Sequence, residues 1–92
     1  MQLVKEVFKQ VKKIVSADDL STTAVSVNVN GDCISVISVS GNVWINPKGT
    51  AVADETAIQL TTGSQLDLTV DGTLSLISDV TGATYQIIFW KL

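Results

Sequence analysis

Histidine and arginine are both absent from this chain. The commonest general base and the forked cation that clamps carboxylates and phosphates are therefore missing. A glycine-rich phosphate loop is excluded as well, because no two of the six glycines stand close together. The single cysteine, Cys33, permits no intramolecular disulfide and spells no zinc site. In its apolar strand pattern it reads as a small buried residue. No apolar run reaches the ~18 residues of a membrane span. Lysines interrupt every apolar stretch near the N-terminus, unlike a secretory signal.

Charge is scarce too. Charged residues make up 16 % of the 92, against ~25 % in ordinary soluble domains. Nineteen Ser and Thr residues stand in their place. A hydroxyl-rich, weakly charged surface costs little to bury, so it suits packing against other subunits. The charge that exists is divided. Residues 1–15 carry +3 and the rest of the chain −6, so an acidic body argues against nucleic acid as its partner.

Carboxylates are the remaining candidates for chemistry. Asp18-Asp19 reads as a solvated linker pair, with no further ligands at calcium-loop spacing. Asp54-Glu55, or Asp67 with Asp71, could supply two carboxylates, but glycosidase-type catalysis holds such a pair across a cleft. A chain this short leaves little room for one. The expectation is a non-enzyme with no cofactor and no metal.

Leu3, Val4, Val7, Phe8, Val11, Ile14 and Val15 follow the i, i+3, i+4 spacing of one helical face, with lysines opposite. The spacing predicts an amphipathic helical arm over 1–15, which needs a surface to lie on. That surface could belong to its own domain, to a neighbouring subunit or to an anionic membrane, although four lysines without a tryptophan make a poor membrane anchor. Deleting the arm is then expected to leave the body folded and weaken its assembly. Residues 16–23 read as a polar linker, and 24–92 as the folded body.

The body is organised around Gln65–Ser78. Leu66, Leu68 and Val70 alternate up to Asp71-Gly72, and Leu74 and Leu76 alternate after it, a hairpin signal. Only a loop of odd length, with Gly72 at positive φ, puts the four leucines on one side facing a core. Asn30-Gly31 is likewise expected to close a hairpin pairing Val27 with Ile34 and Val25 with Val36. The last strand places Tyr85, Ile87 and Phe89 on one face and Ile88 and Trp90 on the other. Every glycine falls at an expected turn. That punctuation predicts a mainly β fold, a small antiparallel β-sandwich or jelly-roll-like barrel of about seven or eight strands preceded by one helix.

Two surfaces stand out as functional candidates. Leu3, Val7, Phe8, Val11, Ile88 and Trp90 are candidate interface residues, since a strand apolar on both faces needs cover on both. Trp44 and Tyr85, with Trp90, could form an aromatic platform for a sugar, although buried aromatic roles are commoner.

Asn42–Thr50, NVWINPKGT, followed by Gly72–Ile88, GTLSLISDVTGATYQII, resembles small structural proteins of tailed bacteriophages. In these a compact β-domain decorates the head or sits in a spike or fibre. The resemblance covers roughly the second half of the chain. It implies a virion component, made in the host cytoplasm, that forms a homo-oligomer (a trimer suits threefold positions) and docks on a capsid or other virion protein. No nucleic-acid or membrane partner is expected. The rival reading is a small carbohydrate- or receptor-binding β-module.

Overall fold

The computed structural model describes residues 10–91, with eight strands and no helix among them. The strands are β1 (Gln10–Leu20), β2 (Val25–Asn28), β3 (Cys33–Ser40), β4 (Val43–Asn46), β5 (Ile58–Leu60), β6 (Gln65–Thr69), β7 (Thr73–Ile77) and β8 (Ala83–Lys91). They form two antiparallel four-stranded sheets. Sheet A has the order β1-β8-β3-β6 and sheet B the order β2-β7-β4-β5. The fold is mainly β, as expected.

Pairing runs inward from the two chain ends: β1 with β8, β2 with β7, β3 with β6 and β4 with β5. The chain is thus one long antiparallel ribbon, folded so that successive strand pairs alternate between sheets. Further pairing of β3 with β8 and β4 with β7 stitches the ribbon to itself. This is jelly-roll connectivity.

Each fold of the ribbon takes two turns around a corner together. The Val29 and Asn30 N–H groups donate to Gly72 O at 2.7 and 2.9 Å, and Gly31 N–H donates to Val70 O at 2.6 Å. At the next corner Gly63 N–H donates to Ser38 O at 2.7 Å. At the third, Ser78 N–H donates to Ser21 O and Gly82 N–H to Leu20 O. Turn backbone that would otherwise be orphaned as it leaves a sheet is satisfied by the partner turn.

Both expected hairpins are corrected by this arrangement. Asn30 and Gly31 have φ of 57° and 79°, and Asp32 N–H donates to Val29 O, so the local type I′ chemistry holds. The flanking strands nevertheless go to different sheets. Val25 and Val27 pair with Leu76 and Leu74, while Ile34 and Val36 pair with Leu68 and Leu66. Asp71-Gly72 is likewise a corner between β6 and β7. Gly72 has φ of 111°, and all four leucines address one core, but from opposite sheets. Leu74 and Leu76 are buried in it and Leu66 and Leu68 pack against its edge.

The helical arm is corrected over 10–15, which are the start of β1. Leu3, Val7 and Phe8 lie outside the described residues. The strand also runs on to Leu20, through the expected linker. Because Val15 packs against the core, a cut after residue 15 would remove part of the body. A bulge explains the misleading spacing. Val11 pairs with Trp90 and Lys13 with Phe89, leaving Lys12 as the extra residue. The bulge lets Val11 and Ile14 share one face, where a regular strand would separate them.

Candidate functional site

Sheet A buries one face and leaves the other open. Ile34, Val36, Tyr85, Ile87 and Phe89 point into the core. By register, the opposite face carries Val11, Trp90, Cys33 and Thr69 in one row and Ile14, Ile88, Ser35 and Asp67 in the next. Val11 and Ile14 are 51 % and 54 % exposed. Ile88 and Trp90 beside them are half-buried. No other described element covers them.

A polar chain crosses the middle of this face. Trp90 Nε1–H donates to Ser35 Oγ at 2.7 Å, and Ser35 Oγ–H donates to Asp67 Oδ1 at 2.7 Å. Gln65 Nε2–H donates to the same carboxylate oxygen at 3.0 Å. The indole is thereby held across β3, and Ser35 is only 1 % exposed despite facing outward. The arrangement fixes a large amphipathic ring on a sheet surface, a form of anchor enriched at protein interfaces.

At the open end of the sheet, Lys12 Nζ lies 3.2 Å from Asp32 Oδ2. Lys13 Nζ sits 5.3 Å from the centroid of the Phe89 ring, closing the end of the core. A depression of about 440 Å³ opens between Lys12, Asp32, Cys33, Trp90 and Lys91. It is continuous with the apolar rows.

Val11, Ile88 and Trp90 of the expected interface are brought together. Trp44 and Tyr85 are not. Tyr85 is 5 % exposed and faces the core, whereas Trp44, 8 % exposed, lies on the outer side of sheet B, opposite Val43 and Ile45. The β4–β5 connection folds over that side. Its Ala51 is buried, and Ala51 N–H donates to Ser75 Oγ at 2.9 Å. A larger groove of about 990 Å³ runs between Pro47–Thr50 and Thr69–Thr73. It has no aromatic lining on which a sugar ring could stack.

The carboxylate pairs are also separated or occupied. Asp54 accepts from both Thr56 N–H and Thr56 Oγ1–H, and these bonds hold its carboxyl below the ordinary value. Asp67 serves the indole network, while Asp71 lines the groove. Among the described residues no three His, Cys, Asp or Glu side chains are grouped to hold a metal ion. No described helix is long and apolar enough to cross a membrane.

Sequence reasoning passed over Ser35, Asp67 and Ile14 as parts of one surface. The available signal was Ser35 between Ile34 and Val36, and Asp67 between Leu66 and Leu68. Each is an outward position on a strand whose neighbours point inward. What joined them was the β3–β6 pairing, which no local pattern announces.

No protein-family model matches the chain, and no curated protein matches its sequence. Solved structures do match in shape. A Rhizobium leguminosarum bv. viciae protein of unknown function superposes with a TM-score of 0.58 at 13 % identity, over 83 % of this chain and 66 % of that one. Hydroxypropylphosphonic acid epoxidase from S. wedmorenis gives 0.61 at 11 % identity, over 83 % of this chain and 42 % of the enzyme. A de novo designed double-stranded β-helix gives 0.57 at 14 % identity, over 86 % and 96 %. The chain thus spans about two thirds or less of the first two proteins. At these identities the likeness is one of fold.

Proposed function

We propose that this protein is a non-enzymatic structural subunit that acts by self-association and by docking on a neighbouring protein. The observation that carries the reading is the outer face of sheet A, where Val11, Ile14, Ile88 and Trp90 form a continuous apolar strip on two adjoining strands. An apolar strip that no other described element covers marks an association surface. The low charge of the chain supports the same reading, since few ionic groups would have to be desolvated. In the setting implied by the sequence resemblance, the neighbour is a capsid or other virion protein and the subunit a decoration or spike component.

The experiment is sedimentation of the wild-type protein beside Ile88→Asp and Trp90→Asp. A carboxylate placed in the strip should dissociate the assembly or leave the freed face prone to aggregate. Retention of the native assembly size by both variants would place the contact elsewhere.

A further inference from the structure

We propose that the depression at the open end of sheet A is a binding site for a small planar aromatic anion. This goes beyond the association reading, since it concerns the end of the strip and a ligand in place of a protein. The depression, about 440 Å³, is lined by Lys12, Asp32, Cys33, Trp90 and Lys91. A smaller one of about 240 Å³ shares Lys12 and Asp32 with it and adds Lys13 and Phe89.

Charge selects an anion. Of the lysines in 10–91 only Lys48 lies elsewhere, on a chain whose net charge is −3. Asp32 is the one acid among the described residues that line the two depressions. Cations gathered at one place on an acidic body draw anions there. The fold sets their positions. Lys12 is the extra residue of the β1 bulge, and a bulge re-aims a side chain. Its ammonium reaches past the end of β8 to Asp32, 3.3 and 3.2 Å from the two carboxylate oxygens. The Lys12 side chain is still 53 % exposed, so a bound anion can share an ammonium that carries three donors.

Trp90 selects the ring. Its indole N–H is taken by Ser35 at 2.7 Å, which fixes the ring and leaves its half-buried surface as an apolar, polarisable wall. An aromatic ring stacks on that wall while its anionic group meets the lysines. A neutral ring would leave the ammonium groups unanswered, and a bare inorganic anion would leave the indole unused.

The test titrates the full chain with naphthalene carboxylate, the neutral naphthalene carboxamide and cyclohexane carboxylate. The indole N–H resonances are followed by NMR, with Trp90→Phe to assign them. Trp44, on the other sheet, is the internal control. Naphthalene carboxylate should move the Trp90 resonance, leave that of Trp44 in place and slow the alkylation of Cys33. The amide should bind about tenfold more weakly, as expected for two exposed charge contacts, and cyclohexane carboxylate severalfold more weakly. A Lys12→Gln, Lys91→Gln variant, its folding checked by circular dichroism, should bind acid and amide equally. Equal affinity of the wild type for acid and amide would overturn the proposal, as would equal shifts at both tryptophans. A silent Trp90 also overturns it. If that silent protein is an oligomer and monomeric Ile88→Asp does respond, subunits cover the depression, and association survives without the ligand site. A monomeric wild type that responds as expected keeps the site and removes association.

Discussion

Trp90 on β8 and Ser35 on β3 are joined across sheet A by an indole N–H to hydroxyl bond of 2.7 Å. Ser35 in turn donates to Asp67 on β6, so three strands are tied beside the apolar strip. Ser35→Ala removes the acceptor of one bond and the donor of the other. The expected loss is about 1.5–3 kcal/mol, the range for a hydrogen bond to a charged group. Urea unfolding measures it, and Ser35→Cys is not a substitute because a thiol bonds weakly. An unchanged midpoint would mean that the indole is not held by this bond.

The leucines of β6 and β7 should differ. Leu74 is fully buried, whereas Leu68 packs at the edge of the core. Leu74→Ala is expected to cost about 2–5 kcal/mol, and Leu68→Ala clearly less. Equal losses at the two positions would contradict the division of the four leucines between facing sheets.

Gly41 and Gly72 both have positive φ but differ in the space around them. A Cβ on Gly41 would stand 3.0 Å from Ala83 Cβ, while one on Gly72 would meet nothing within 4 Å. Gly72→Ala should therefore cost only the backbone penalty of about 1–3 kcal/mol. Gly41→Ala should cost more, because the β3–β4 and β7–β8 turns would have to separate. Thermal unfolding of the two variants checks the order.

From Val25 onward strand positions were legible in the sequence; strand partners were not. Period-two alternation in Val25–Val27, Cys33–Val36 and Ala83–Trp90 reports which residues share a face, and glycines mark where chain direction changes. Partners come from pairing between distant segments, such as Ile34 with Phe89. The Asn30-Gly31 turn illustrates the limit. Its backbone satisfies hairpin geometry, yet twin turns around a corner use the same geometry. The misreading over 10–15 has a different cause. A single bulge at Lys12 converts strand periodicity into an i, i+3 repeat over Val11 and Ile14, which pattern alone cannot separate from a helix. The open strip was half visible, since Ile88 and Trp90 were placed correctly on one face. Its extension to Ile14 and its crossing by Ser35 and Asp67 required the sheet order.

Asp54 gives a pH signature. Bonds from Thr56 hold its carboxyl below the ordinary 3.8. A group whose pKa falls on folding contributes stability that is present above its unfolded pKa. That contribution is lost as pH drops through the lower folded value. An NMR titration should find the Asp54 midpoint below 3.8, and Thr56→Val should raise it. A midpoint unmoved by Thr56→Val would show that the side-chain bond does not form.

Association through sheet A stands or falls on the native mass of the wild-type protein, measured by sedimentation equilibrium over a wide concentration range beside Ile88→Asp. A multiple of the 9.8 kDa chain mass that the substitution reduces to a single chain is the expected result. A wild-type protein that stays a stable, soluble monomer at every concentration would contradict it.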